Sequence, residues 1–362
     1  LCLISIIEVF SAASTLTYKS GDHWGPITQH SIILMVGAVV VVFLHNVPYK
    51  WFQVFPVFLY PISLVLLAFV TLMGIITGDR VNGAARWMTF MGLQFQPSEL
   101  AKMAVIIAVS FILSKRQDEE GANPKAFKYI MILTGLVLLL IAPENLSTAM
   151  LLFGVVFMMM FIGRVAAKKL LLLAGGLVLI VALGVGTVVA IPAKTLHNTP
   201  GLHRLETWQN RIKGFKDEVP AAKFDIDKDA QIAHARIAIA TSHVVGKGPG
   251  NSIQRDFLSQ AFSDFIFAIV IEEMGLIGGI FVVFLYLCLL MRAGRIAQKC
   301  ERTFPAFLVM GIALLLVSQA ILNMMVAVGL FPVTGQPLPL VSKGGTSTLI
   351  NCAYIGMILS VS

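Results

Sequence analysis

Residues 257–275 read FLSQAFSDFIFAIVIEEMG, and this stretch places one acid, Asp264, where a polar segment turns into a long apolar run. The run continues to Met291 and is long enough to cross a bilayer. Asp264 is therefore predicted to lie at the entry of a transmembrane helix, at the membrane–water boundary. A carboxylate there is partly desolvated, which suits it to act as a general base. The alternative is a helix N-cap, a position that suits both Ser263 and Asp264.

The composition excludes a soluble globular protein. The chain has 362 residues, of which 57% are hydrophobic and 13% charged, and its mean hydropathy is +0.85. Such a chain has too few polar side chains to cover a soluble fold, so it is predicted to be a polytopic membrane protein. The net charge of +8 indicates no nucleic-acid partner, because much of the positive charge lies in short loops between apolar segments.

Apolar runs long enough to span a bilayer recur about ten times along the chain. They predict an all-α polytopic membrane protein, with residues 1–362 forming a single membrane domain. The polar segment 193–263 lies between the seventh and eighth predicted membrane helices and is predicted to be a large extracytoplasmic loop. Within it, residues 229–245 have the spacing of an amphipathic helix. The apolar runs cover residues 1–16, 31–47, 54–77, 98–114, 127–142, 145–163, 168–192, 264–291, 304–330 and 346–362.

The short loops predict the orientation in the membrane. Lysines and arginines cluster in loops around residue 50 and within 115–128, 164–169 and 292–302, which all fall on one side. The positive-inside rule assigns that side to the cytoplasm. Asp264 and the 193–263 segment then lie on the outer side of the membrane.

Charged residues also gather around the loop at 78–97, which reads GDRVNGAARWMTFMGLQFQP. Glu99 and Lys102 follow it three positions apart, so they share one helix face and can form an ion pair that holds two helices. The alternative is that they line a watery cavity. Arg80 and Arg86 lie within the loop, and their guanidinium groups suit the binding of phosphate.

A second loop on the outer side reads FPVTGQPLPLVSKGGTS over residues 331–347. Its prolines and glycines predict an irregular, preshaped backbone in which Gly344 and Gly345 can offer backbone amides to an anion. The GKGPG sequence at 246–250 is a weak phosphate-loop signal and lacks Walker spacing. Glu272 lies about 12 Å from Asp264 along a helix. This exceeds the about 5–9.5 Å between paired glycosidase acids, so the segment offers one acid rather than a pair.

Five stretches together resemble one family. They are QPSELAK at 96–102, SDFIFAIVIEEMG at 263–275, PVTGQPLPLVSKGGTS at 332–347, NGAARW at 82–87 and NLSTA at 145–149. In order and spacing they resemble the signatures of the SEDS family, the shape, elongation, division and sporulation proteins also called the FtsW/RodA family. The resemblance covers essentially the whole chain.

This resemblance implies a peptidoglycan glycosyltransferase that polymerises lipid II at the outer face of the cytoplasmic membrane. The essential acid of the family falls on Asp264, and its glutamate, lysine and loop arginine fall on Glu99, Lys102 and Arg86. The leaving diphosphate would be met by Arg86, Lys102, Arg80 and Lys343, or by a divalent cation such as Mg or Mn. Ser342, Gly344 and Gly345 of the second outer loop are predicted to contact the same substrate.

The resemblance also implies a partner and a place in the cell. The partner would be a class B penicillin-binding protein, a transpeptidase, together with other proteins of the division machinery. The sequence GNSIQ at 250–254 is similar to that of the division branch of the family, which implies that the protein acts at the division septum. An elongation-type, RodA-like polymerase is the alternative within the family. Two alternatives belong to other functional classes. A lipid II flippase or transporter would use the same charges of the cavity without covalent chemistry. A scaffold that recruits a partner would not need Asp264.

The chain departs from the family pattern at three places. Residues 259–263 read SQAFS where the family commonly has Pro-Glu-x-His-Thr, so a neighbouring glutamate and histidine cannot share the work of Asp264. Asn145 stands where an aspartate is usual. Lys343 replaces a frequent tyrosine, which adds a cation on the substrate side.

Overall fold

The computed structural model describes residues 1–20, 25–76, 88–90, 93–118, 121–190, 209, 230–258 and 263–362. Within these ranges the chain forms α-helices joined by loops of varied length, with two small antiparallel hairpins. Strand β1 (Met88–Phe90) pairs with β2 (Leu93–Phe95), and β3 (Gln117–Asp118) pairs with β4 (Gly121–Ala122). The helices are α1 (Cys2–Ser20), α2 (Gly25–Asn46), α3 (Phe55–Ile76), α4 (Pro97–Lys115), α5 (Pro124–Ile141), α6 (Leu146–Ile162), α7 (Ala167–Ala190), α8 (Ala230–Ala240), α9 (Ile266–Lys299), α10 (Thr303–Ala327) and α11 (Thr346–Val361).

The predicted membrane helices are confirmed. In the described part of the chain, 7 helices are long and apolar enough to cross a bilayer, and three shorter apolar helices lie in α1, α6 and α11. Together they account for the ten apolar runs of the sequence. Helix α8 is the one predicted inside the 193–263 segment, and it is shorter than the predicted 229–245. The rest of that segment up to residue 229 lies outside the described residues, except for Gln209.

Side-chain caps define the starts of helices α5 and α6. Asn123 Oδ1 accepts a hydrogen bond from the backbone N–H of Lys125 (3.0 Å) at the start of α5, with Pro124 in the first turn. Asn145 Oδ1 accepts one from the N–H of Thr148 (3.2 Å) at the start of α6. The asparagine at 145 therefore retains the capping ability of the aspartate it replaces.

Helices α4 and α10 lie at the centre of the bundle. Of their apolar windows, 72% and 61% of the residues are buried, whereas the value for α7 is 6%. The outward faces of the peripheral helices are apolar, for example at Leu171 and Leu172 of α7. Such faces suit contact with lipid tails, because the backbone hydrogen bonds are all made within the helices.

The loops segregate to two ends of the bundle as predicted. At the basic end, Ala122 N–H donates to Arg164 O (3.2 Å), and Lys169 Nζ donates to Pro124 O (3.3 Å). At the other end, Gln336 of the loop between α10 and α11 donates to Thr148 Oγ1 at the start of α6 (2.6 Å). The assignment of the basic end to the cytoplasm stays a prediction.

The run predicted as one continuous helix over 264–291 is broken, and that prediction is wrong in this respect. Gly275 has φ 73° and ψ −175° inside α9, a backbone region that favours glycine. The break separates a short helix at 266–274, here called the half-helix, from a longer helix at 276–299. Each residue of the half-helix up to Glu273 is buried, so the half-helix lies inside protein rather than facing lipid.

The segment 243–248 fills the break in α9. It offers N–H groups to two carbonyls that end the half-helix, and carbonyls to two N–H groups that begin the next helix, so two free groups at each end are satisfied. The pairs are Lys247 N with Glu272 O (3.0 Å), Gly248 N with Glu273 O (2.8 Å), Leu276 N with His243 O (3.3 Å), and Ile277 N with Val244 O (3.3 Å). The approach is so close that a Cβ on Gly246 would lie 2.3 Å from Gly275 N.

Candidate active site

Asp264 lies in a turn immediately before the half-helix, and it is half-buried. The N-cap residue of α9 is Phe265, which makes no side-chain capping hydrogen bond. The N-cap alternative for Ser263 or Asp264 is therefore wrong. Ser263 Oγ instead donates to Asp264 Oδ1 (3.0 Å), which helps to orient the carboxylate.

Two side chains hold the backbone of this turn from outside. Asn323 of α10 donates through Nδ2 to Asp264 O (2.9 Å) and to Gln336 O (2.8 Å). Ser342 Oγ donates to Ser263 O (2.6 Å). The position of Asp264 is thus set by α10 and by the loop at 328–345, here called the α10–α11 loop.

The α10–α11 loop is irregular, as predicted, but much of it is buried inside the bundle rather than lying at its surface. Proline supplies no N–H, so carbonyls in this loop need partners from other elements. Buried side chains of α1, α9 and α10 supply these partners. The contacts are Gln319 Nε2 to Pro337 O (3.0 Å), Tyr286 OH to Pro339 O, and Ser5 Oγ to Val341 O (2.6 Å).

Glu99 and Lys102 form the ion pair that their spacing predicts. Lys102 Nζ lies 2.7 Å from Glu99 Oε1, with both side chains buried at the start of α4. The same Nζ donates to Gln319 Oε1 (3.0 Å). Gln319 and Asn323 are one turn apart on α10, so this helix links the ion pair to the Asp264 turn. Substrate contact by Glu99 or Lys102 stays a prediction, and it would require this buried pair to open.

The residues Lys343, Gly344 and Gly345 lead into the N-terminus of α11. Gly345 is the N-cap residue, with φ 52°, and α11 has no side-chain cap. Lys343 is half-buried, and burial lowers the pKa of its ammonium group. A desolvated cation beside a helix N-terminus favours an anionic ligand. Ser342 joins this corner directly to the Asp264 turn.

Two predicted site residues, Arg80 and Arg86, lie outside the described residues. A protein-built metal site is not found in the described ranges, where His, Cys, Asp and Glu side chains form no group of three or more suited to a metal ion.

The weak phosphate-loop signal at 246–250 has another explanation. Glu272 and Glu273 are fully buried, and the backbone amides of the glycine-rich segment and the residues after it donate to these two carboxylates. Both glutamates are thus held by donors of the protein itself, and a catalytic role for Asp264 stays a prediction.

Sequence reasoning missed Gln319, Asn323, Gln336 and Thr148, which hold the site together. The first two are polar residues inside a long apolar run, and such residues in membrane helices usually face the bundle interior. That signal identifies them as candidates. It cannot reveal their partners, which lie far away in the chain.

The chain is similar over its whole length to proteins of known family. Residues 1–362 match the FtsW/RodA/SpoVE family, described as cell cycle proteins. A relative from Trichlorobacter lovleyi, named "Probable peptidoglycan glycosyltransferase FtsW", is 32% identical over 365 residues, which is 99% of this chain and 89% of that protein. A relative of the same name from Halomonas elongata is 31% identical over 369 residues, which is 100% of this chain and 87% of that protein.

Solved structures show the same fold. A chain from a peptidoglycan synthase complex, described for its structural coordination of polymerization and crosslinking, has a TM-score of 0.72 at 25% identity and covers 98% of this chain and 95% of its own. The rod shape determining protein RodA of Thermus thermophilus has a TM-score of 0.64 at 24% identity, covering 99% and 94%.

Proposed function

The chain belongs to the FtsW/RodA/SpoVE family of cell cycle proteins, and we propose that this multi-pass membrane peptidoglycan glycosyltransferase polymerises lipid II at the outer face of the cytoplasmic membrane. Lipid II carries its sugars on a polyprenyl diphosphate, so the donor is already activated. This agrees with a sequence that has no nucleotide-binding motif. The lipid tail would lie in the bilayer while the sugars reach the Asp264 turn.

In the proposed reaction, the 4-hydroxyl of an acceptor sugar attacks the anomeric carbon of the donor. The bond from that carbon to the diphosphate oxygen breaks, polyprenyl diphosphate leaves, and the configuration is inverted. Asp264 accepts the proton of the attacking hydroxyl. General-base assistance of this kind is worth about 100- to 10,000-fold in rate.

The observation that carries this assignment is the way in which Asp264 is held. Its backbone and that of Ser263 are fixed by Asn323 and Ser342, and Ser263 Oγ donates to its half-buried carboxylate. A base held by its backbone keeps its position while its side chain exchanges a proton.

Positive groups nearby suit the leaving diphosphate. Lys343 and the N-terminus of α11 follow Ser342 directly, and a helix N-terminus favours an anion. From the sequence, Arg80 and Arg86 complete this set. Ser342 acts mainly by holding the turn, because its hydroxyl donates to Ser263 O.

The ion pair of Glu99 and Lys102 would support the same site from α4. Because Lys102 also contacts Gln319, the pair fixes α4 against α10 beside the helix turn that carries Asn323. We infer a direct contact of Lys102 with diphosphate only where substrate binding opens the pair.

We extend the proposal to a partner and a place. Its partner is a class B penicillin-binding protein, supported by the likeness to a chain from a peptidoglycan synthase complex. The names of the relatives favour the division branch, and hence the division septum and the other division proteins.

The test is whether detergent-purified protein makes glycan strands from lipid II. In detergent there is no second leaflet, so a flippase or transporter would leave lipid II unchanged. A scaffold would also make no strands. Strand formation by the wild-type protein, lost in Asp264→Asn, is the expected result.

A further inference from the structure

Glu272 and Glu273 are two adjacent acids with no place in the proposed reaction. Both are 0% exposed. The first lies about 9 Å of helical rise beyond Ile266, where the half-helix begins, and Asp264 precedes that start, so direct proton transfer between the two acids is out of reach. Burial of two carboxylates side by side is costly unless donors surround them, so their surroundings indicate what they do.

Glu272 is bound entirely by the segment 247–254, as far as the described residues show. Its two oxygens accept four hydrogen bonds, one from an ammonium, one from a hydroxyl and two from the backbone. The donors are Lys247 Nζ (2.6 Å), Ser252 Oγ (2.5 Å), Ile253 N (3.2 Å) and Gln254 N (3.3 Å).

Glu273 extends the same contact to α1. Gly250 N donates to its Oε2 (3.0 Å), Ser252 N donates to its Oε1 (3.3 Å), and Ser11 Oγ of α1 donates to that same Oε1. Arg255 Nη1 lies 3.9 Å from Oε1 and donates to Ser11 Oγ (2.8 Å). The positive charge of Arg255 thus lies close to the buried Glu273 carboxylate and partly offsets its negative charge.

The half-helix is consequently fastened at both ends. At its start, Asn323 and Ser342 hold the turn that carries Asp264. At its end, the two glutamates and the backbone hydrogen bonds across the break hold it to the segment 243–255. Its sides are packed in protein, so a displacement at residue 272 has no solvent-filled space to absorb it before it reaches residue 264.

We propose that Glu272 and Glu273 are positioning residues for Asp264, which lock the half-helix to the segment 243–255 and so fix the placement of the base. This rests on the proposed function, in which Asp264 is the base. The glycine-rich segment surrounds the carboxylates of its own chain in the way that such loops surround phosphates. A misplacement of about 1 Å can cost on the order of 100-fold in rate, so the lock is relevant to catalysis.

Two variants of different severity test the proposal. Glu272→Gln replaces one acceptor oxygen by an NH₂ group that faces other donors, and it removes the partner charge of Lys247. Ser252→Ala keeps every charge and removes only a hydroxyl, which donates to Glu272 Oε2 and accepts from Arg255 N–H (3.2 Å), so it is the variant expected to fold best. The matched control is Asn123→Ala, which removes the cap of α5 at the opposite, basic end of the bundle.

The rate of strand formation from lipid II is measured over a range of substrate concentrations. For Glu272→Gln we expect kcat to fall about 10- to 100-fold, with KM changed by no more than about twofold. The kcat of Ser252→Ala should also fall, but by a smaller factor than that of Glu272→Gln. Asn123→Ala should keep the wild-type kcat in the folded fraction, since it does not touch the half-helix.

Hydrogen exchange of the peptide 263–274 gives a readout that does not depend on activity. We expect faster exchange there in both test variants and no change in Asn123→Ala. Wild-type exchange in both test variants would overturn the proposal, whatever happens to kcat. If the wild-type protein makes no glycan strands, the proposed function fails, while the exchange measurement still decides whether the glutamates lock the half-helix.

Discussion

Replacement of Asp264 by asparagine removes the proposed base with little change in shape. The backbone contacts from Asn323 and Ser342 reach carbonyl oxygens, which any side chain retains. The amide oxygen can still accept from Ser263 Oγ. The N-cap residue of α9 is Phe265, and asparagine caps helices as well as aspartate does, so no helix cap is lost. The substitution therefore exchanges one charged acceptor for a neutral one.

The expected effects on stability and rate differ widely. A change in a single hydrogen bond alters the free energy of unfolding by about 1 kcal/mol. Loss of a general base costs about 100- to 10,000-fold in rate, and at about 1.36 kcal/mol for each factor of ten this is about 2.7–5.4 kcal/mol in the barrier. We expect a folded protein that still binds lipid II and polymerises it at least 100-fold more slowly.

The assay combines strand formation by purified protein with a thermal unfolding measurement. The matched control is Asp118→Asn, an acid-to-amide change at the basic end of the bundle, which should leave the rate unchanged. Near-normal polymerisation by Asp264→Asn would refute the base assignment. An unfolded Asp264→Asn would refute the reasoning on stability, and Asp264→Ala would then show whether any side chain at 264 is needed for folding.

The remaining predictions concern topology, the buried pair and Lys343. Cysteines introduced at positions 213 and 125 should label from opposite sides of the membrane in intact cells, and equal labelling would overturn the orientation. Lys102→Ala leaves Glu99 buried without its cation and should cost about 3–5 kcal/mol in stability, seen as a lower Tm, whereas an unchanged Tm would remove the structural role. Since burial lowers the pKa of Lys343, its charge is lost at a lower pH than that of an exposed lysine. The KM for lipid II should therefore rise on the alkaline side in the wild type and stay flat in Lys343→Arg, and identical pH profiles would contradict a role in binding.

Local patterns were sufficient to predict most of the architecture. Each membrane helix is encoded in its own apolar run, and the Glu99–Lys102 pair follows from a spacing of three on one helix. The position of Asp264 just before α9 follows from the point where the polar segment ends. All three are properties of contiguous sequence.

The break in α9 could not be predicted in that way. Gly275 stands in an apolar run where glycine is common in membrane helices. The break depends on a segment some thirty residues earlier, whose N–H and carbonyl groups replace the missing helical partners. The inward course of the α10–α11 loop has a similar cause, because Gln336 meets Thr148 across 188 positions of sequence. Pairing over such distances leaves no mark on composition or periodicity.

The contact between Gly246 and Gly275 restricts how a gene for this protein can vary. A Cβ at either position would lie 2.3 Å from backbone atoms of the other segment. Main-chain atoms cannot be trimmed by a second substitution, so neither codon has a compensating partner. In a library that randomises both codons, selection for growth should return glycine at both positions. Any other residue at either position would bring a Cβ against main-chain atoms of the other segment. Glycine is therefore required at each position separately, although some thirty codons lie between the two.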